Sequence, residues 1–208
     1  MSPEEDPWLS IPAEAYEAHM SAVGQSAVLR AMFFRVYTER RPRRLAVLGC
    51  TTGADLQRID VAHTELAIGV DLNPTYLALA RARLAALGPR LRLVEGDVMR
   101  AELPAHGLDL VHAALLLEYV DPLGLFRRIL GWLAPGGACS IVTQDPAPGV
   151  PAVSETRHAA ALQPLAARMR VRDARQVTTL AAQCGLRLVR QDATPVGSKS
   201  LVSSVFEA

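Results

Sequence analysis

The stretch LAVLGCTTG at residues 45–53, followed by GVDLNP at 69–74, decides how this 208-residue chain is read. A short apolar run meets Gly49 and then Gly53, the pattern of a strand that ends in a glycine-rich turn and opens a helix. Such a turn lets a ligand come close to the backbone, because a Cβ at Gly49 or Gly53 would collide with it. Asp71 follows at the end of the next apolar segment, about twenty residues on, where a carboxylate can accept both hydroxyls of a ribose. Together the two features point to an adenosine-containing ligand.

The same alternation continues outward from this core. Strands are expected at 66–70, 90–96, 108–114 and 138–144, with helices over 74–87 and 122–133 between them. Asn73 with Pro74, and Asp121 with Pro122, are helix-start signals, and Gly88 is a stop. Short connections between alternating elements require a parallel sheet covered by helices on both faces. Beyond Asp145 the spacing predicts a proline-rich loop, a broken helix over 154–169, a helix over 174–184 capped by Asp173, and strands LRLVRQ (186–191) and SLVSSVFE (200–207). The ATPVGSK link is too short for a crossover helix, so this last pair should be antiparallel. Upstream, residues 13–37 carry apolar residues at helical spacing and no proline, which reads as one or two helices.

Composition narrows the function classes. Half of the residues are hydrophobic and only 5% aromatic, so the core is built from Ala, Leu and Val. A net charge of +1 gives no field for a polyanion, which disfavours nucleic acid as a partner. Cys50, Cys139 and Cys184 are odd in number and set among apolar residues, which fits a reducing compartment and no metal pattern. The acidic, proline-broken opening MSPEEDPW is unlike a secretory leader, and no run approaches membrane-spanning length. A cytoplasmic protein without a membrane partner, a monomer or homodimer, is the expectation. Lys199 is the only lysine, and the arginine excess carries no functional weight.

With those motifs in place, residues 40–208 resemble the class I S-adenosylmethionine-dependent methyltransferases. LAVLGCTTG is similar to the first-strand glycine loop, GVDLNP to the acidic ribose turn, EGDV to the segment whose aspartate lies near adenine, and DLVHAALLLEYVDP and LAPGGACSIVTQ to the regions around the fourth and fifth strands. The resemblance implies a Rossmann-like three-layer α/β sandwich with a mostly parallel seven-stranded sheet and an antiparallel C-terminal strand. Residues 1–40 would form an N-terminal helical cap or lid, and residues 41–208 the cofactor-binding domain, all within one structural domain. S-adenosyl-L-methionine would be bound by Gly49, Cys50, Thr51, Thr52, Gly53, Asp71, Leu72, Asp97, Val98 and Ala113, leaving S-adenosyl-L-homocysteine as product. Two positions depart from the family pattern: Val47 stands where an acidic residue is common, and Thr51 where a middle glycine is. Thr51 or Thr52 would instead offer a hydroxyl to the methionine carboxylate.

Methyl transfer from a sulfonium needs positioning and water exclusion more than a fixed triad, so catalytic residues leave a faint trace. Ligands bind beyond the carboxyl ends of the strands, which nominates Tyr16, His19, Glu118, Tyr119 and Gln144 for an acceptor pocket. Tyr16 and His19 lie three apart on a helix, His19 as a base and Tyr16 as a donor or a ring facing the cation. The plainer reading of both is packing. Trp8, Met20, Met32 and Trp132 read as packing residues, with Trp8 also a candidate lid; Asp97 would equally serve as a turn cap, and Arg40–Arg44 and Arg168–Arg175 as solvated faces. His63, His106, His112 and His158 lack metal-ligand spacing, and no metal is expected. The acceptor is expected to be a small molecule. A cofactor-binding module without catalysis, acting as regulator or partner subunit, is the alternative that Val47 and Thr51 raise. A nicotinamide-dependent oxidoreductase ranks behind both, because the loop lacks the middle glycine of G-x-G-x-x-G.

Overall fold

The computed structural model describes residues 6–146 and 149–208; residues 1–5 of the expected cap, and 147 and 148 in the proline-rich loop, lie outside the described residues. Seven strands, β1 (Arg44–Leu48), β2 (Leu66–Asp71), β3 (Leu91–Glu95), β4 (Leu108–Ala114), β5 (Leu133–Gln144), β6 (Arg187–Val196) and β7 (Lys199–Glu207), form one sheet in the order β3-β2-β1-β4-β5-β7-β6. Strand β7 runs antiparallel to both of its neighbours and the other pairings are parallel. This is the Rossmann-like three-layer α/β fold expected from the sequence, with the single reversed strand where the hairpin was expected.

The central strands are apolar on both sides because both faces are covered. In β1 the alternation of side chains sends Leu45 and Val47 to one face and Ala46 and Leu48 to the other. The first face packs against α2 (Gln25–Arg40) through Phe33, Val36 and Tyr37 and against α3 (Pro74–Arg83) through Leu77 and Ala80. The second packs against α4 (Pro122–Trp132) through Leu125, Phe126 and Ile129 and against α6 (Ala174–Gln183) through Val177 and Ala181. Asn73 caps α3 by accepting from Thr75 N and Tyr76 N, Asp121 caps α4 from Gly124 N, and Asp173 caps α6 from Gln176 N. Upstream, α1 (Ala13–Ala22) is separated from α2 by Gly24, whose φ of +78° breaks the helix.

Several boundaries differ from the sequence reading. The glycine loop leads into a single 3-10 turn over Asp55–Arg58 and not into an α-helix. Only twelve residues lie between Gly53 and Leu66, and the face such a helix would cover is already occupied by α2. Helix α3 stops at Arg83, and a 3-10 segment over Ala85–Arg90, with Gly88 at φ +53° and Pro89, completes the link. Strand β5 begins at Leu133, which pairs with Leu108 across a register shift. The broken helix is α5 (Ala159–Ala166), with Pro164 inside it. Strands β6 and β7 continue through most of the expected link and close on Gly197 and Ser198 alone. Among the described residues no helix is long and apolar enough to cross a membrane.

Candidate active site

A cavity of about 500 Å³ opens along the carboxyl edge of the sheet, a size suited to small-molecule ligands. One end lies over β1, β2 and β3. There Gly49, Thr51, Asp71, Leu72, Gly96, Asp97 and Val98 line the wall. The other end lies over β4, β5 and β7, and is lined by His19, Met20, Gln25, Ala114, Gln144 and Lys199. Between them Trp8, Tyr16 and Tyr119 form an aromatic roof.

Asp71 is the pivot of the first end. Its Oδ2 accepts from Thr51 N at 2.7 Å and its Oδ1 from Asn73 N at 2.9 Å, so the carboxylate is held in one orientation by the two loops it joins. It is 8% exposed, and this burial raises its pKa against the lowering effect of those backbone donors. Each oxygen keeps a lone pair for a ligand hydroxyl. Asp97 both lines the cavity and caps a turn, its Oδ1 accepting from Met99 N at 2.8 Å. The donor and acceptor inventory at this end, a fixed carboxylate beside the apolar Leu72 and Val98, fits the ribose and base of a nucleoside.

Four residues expected at the cofactor do not line the cavity. Cys50 turns into the core, its Sγ lying 2.8 Å from where a Cβ on Gly69 would be. Gly53, at φ +81°, owes its identity to α3: an added Cβ would stand 2.8 Å from Leu84 Cδ1 and 3.1 Å from Ala80 Cβ, so helix packing, not ligand clearance, excludes a side chain there. The Thr52 hydroxyl donates to Glu17, which also pairs with Arg83, and it is therefore unavailable to the methionine end of a cofactor. Ala113 is buried, and its neighbour Ala114 takes the place at the wall. Val47 is a core residue packed among the α2 side chains, where a charged carboxylate would be costly to bury.

The aromatic roof is tied down by ring contacts, a hydrogen bond and an ion pair. Trp8 meets the Tyr16 ring edge-on at 5.7 Å and the Tyr119 ring edge-on at 5.3 Å. Asn73 Nδ2 donates to Trp8 O at 2.8 Å, so the residue that caps α3 also fastens the N-terminal segment. Arg168 pairs with Asp6 at 3.2 Å, which takes it out of the solvated face assigned from sequence. Arg40 likewise pairs with Glu207, at 2.6 Å. Burial pushes the phenols of Tyr16, Tyr76 and Tyr119 well above their ordinary range, so all three stay protonated as donors.

His19 and Tyr16 both reach the cavity from α1. His19 Nδ1 bonds Thr156 Oγ1 at 2.8 Å, and desolvation, with Lys199 and His158 nearby, lowers its pKa, so the ring is neutral at pH 7. Glu118 stands just behind the wall: its Oε1 accepts from Gln144 N at 3.1 Å, its Oε2 has no partner among the described residues, and burial pushes its pKa up to about 7. His112 lies in the core against Phe33, with its pKa pushed down to about 4 by burial. Met20 and Met32 share a core cluster, and Trp132, the last residue of α4, packs in the core with Phe126 and Ile129. Among the described residues no three His, Cys, Asp or Glu side chains converge on a point that could hold a metal ion. Lys199 was missed by sequence reasoning. Its signal was its solitude in an arginine-rich chain, which does not reveal a position.

Residues 46–137 match the family model of a methyltransferase domain. The chain is similar to a demethylmenaquinone methyltransferase of Thermus thermophilus, at 30% identity over 115 residues that cover 53% of this chain and 51% of that protein. It is also similar to a trans-aconitate 2-methyltransferase of Acidovorax sp., at 34% identity over 107 residues, 50% of this chain and 39% of that one. The chain thus spans about half or less of the length of these relatives. Its fold is shared with a solved S-adenosylmethionine-dependent methyltransferase from Mesorhizobium loti, with a TM-score of 0.66 at 21% identity, covering 79% of this chain and 90% of that one.

Proposed function

We propose that the chain is a class I S-adenosylmethionine-dependent methyltransferase that methylates a small-molecule acceptor by in-line displacement, a reading supported by its methyltransferase-domain match, its relatives and its fold. The observation that carries this reading is the single cavity with two chemically distinct ends, a carboxylate end at Asp71 and a basic, amide-rich end at His19, Gln144 and Lys199. Bound at the first end, S-adenosylmethionine supplies an already activated methyl group. The chain's residues then have three tasks. Asp71 orients the nucleoside, with Gly49, Thr51, Leu72, Asp97 and Val98 around it. Trp8, Tyr16 and Tyr119 close the roof and exclude water, and an aromatic face turned to the cavity would stabilise a cationic centre. His19, neutral and with Nδ1 tied to Thr156, is oriented to take a proton at Nε2 when the acceptor must lose one.

Free thiols at Cys50, Cys139 and Cys184 support a reducing, cytoplasmic setting as part of the same reading. Calorimetric titration with S-adenosylmethionine, S-adenosylhomocysteine and NAD tests it. Micromolar binding of the two sulfur nucleosides, lost in Asp71→Ala, is expected; binding of NAD alone would overturn the reading. The non-catalytic alternative is favoured by the strained Thr51 and the apolar Val47, and binding without turnover across a broad acceptor panel would distinguish it.

A further inference from the structure

Lys199 occupies the first position of β7, and because β7 runs against the rest of the sheet, its beginning lies at the same edge as the ends of β4 and β5. The side chain is only 6% exposed, yet it lines the cavity. Its Nζ donates to Ala152 O at 2.5 Å, and among the described residues no carboxylate lies within ion-pairing distance of it. An ammonium has three donors, so two are uncommitted. A cation so far removed from water and left without a counter-charge is costly, and the ordinary compensation is an anion.

The acids that share the cavity do not supply one. Asp71 and Asp97 serve Thr51, Asn73 and Met99 at the far end, Asp121 caps α4, and Asp6 pairs with Arg168. Four strand spacings separate β2 from β7, about 19 Å at the usual interstrand distance, beyond a Debye length in physiological salt. This end of the wall instead offers the carboxamides of Gln25 and Gln144, to whose side chains no described residue bonds, the neutral imidazole of His19, close enough for Lys199 to lower its pKa, and the apolar Met20. One cation, two amides, a neutral imidazole and apolar neighbours suit a single negative charge on an apolar body better than a polyanion.

We propose that Lys199 anchors the acceptor and that the acceptor is a small, largely apolar molecule carrying a carboxylate, with Gln25 and Gln144 as flanking donors. This rests on the reading of the cavity as a donor-plus-acceptor site. Since Lys199 is the only lysine, protein labelled with 13C and 15N at lysine gives one side-chain ammonium signal that needs no assignment. That signal is followed with and without S-adenosylhomocysteine while benzoate, phenylacetate or hexanoate is added, each against its amide. A saturable shift with at least one acid and none with its amide is expected. In calorimetry, Lys199→Met should lose roughly tenfold to a hundredfold in affinity for that acid and Lys199→Arg should retain most of it, both still binding S-adenosylhomocysteine. No response to any of the three acids, an equal response to the amides, or an acid preference that survives Lys199→Met overturns the proposal. Nucleoside binding without acid binding sinks this inference alone, whereas acid binding without nucleoside binding sinks the donor-site reading alone.

Discussion

Thr51 donates its backbone N–H to Asp71 Oδ2 at 2.7 Å from a backbone held at φ +47°. A β-branched residue in the left-handed region is strained, at a cost of about 1–3 kcal/mol. The strain is set against the orientation of the buried Asp71 carboxylate at the edge of the sheet. Thr51→Gly should therefore stabilise the free protein by about 1 kcal/mol, the relief of strain exceeding the added chain entropy. Urea denaturation measures it. A loss of stability would mean that the Thr51 side chain contributes more than its backbone costs.

Gly53 makes the opposite case. Gly53→Ala places a Cβ against Leu84 and Ala80 at positive φ and should cost about 2 kcal/mol or more. In a double-mutant cycle with Leu84→Ala the pair should lose less than the sum of the two single changes, because the second makes room for the first. Strict additivity would remove the packing explanation.

Glu118 titrates with a sign that can be worked out. Its folded pKa is raised from 4.5 to about 7 by burial, so the folded state keeps a proton that the unfolded state releases. Stability is fully present below pH 4.5 and falls as pH rises through 7, by up to about 3 kcal/mol. Glu118→Gln removes that dependence while keeping an acceptor for Gln144 N. Thermal melts of the two proteins should coincide near pH 4.5 and separate in favour of the variant by pH 8; parallel curves would show that Glu118 is not the titrating group.

Asn73 serves both helix and roof, and two substitutions separate these tasks. Asn73→Ala should cost about 1 kcal/mol through loss of the α3 cap and also free Trp8, while Asn73→Ser keeps a capping oxygen and frees Trp8 alone. In a Trp132→Phe background, acrylamide quenching of Trp8 should rise in both variants. Unchanged quenching would mean that Tyr16 and Tyr119 suffice to hold the indole.

The strands around the first glycine loop were legible because apolar runs buried on both faces and capped helices are local patterns, visible at Leu45–Leu48, Asn73–Pro74 and Asp121–Pro122. The place of Asp71 at the cavity wall was legible for a similar reason, since strand ends and the residues that follow them fall at one edge of a parallel sheet. The helix expected after Gly53 was not a local matter: α2, from upstream in the chain, covers that face, and the short link shrinks to one turn.

The sequence by itself determined the α/β alternation, the reversed last strand and the acidic position at the end of β2, each of which depends on residues close together in the chain. Only the tertiary structure decided that Gly53 serves α3, that Thr52 is bound to Glu17 and Arg83, that Trp8 closes over Asn73, and that Lys199 enters the cavity. Each of those facts pairs residues far apart in the chain, and the direction in which a side chain leaves a packed sheet is set by what fills the space on either side of it.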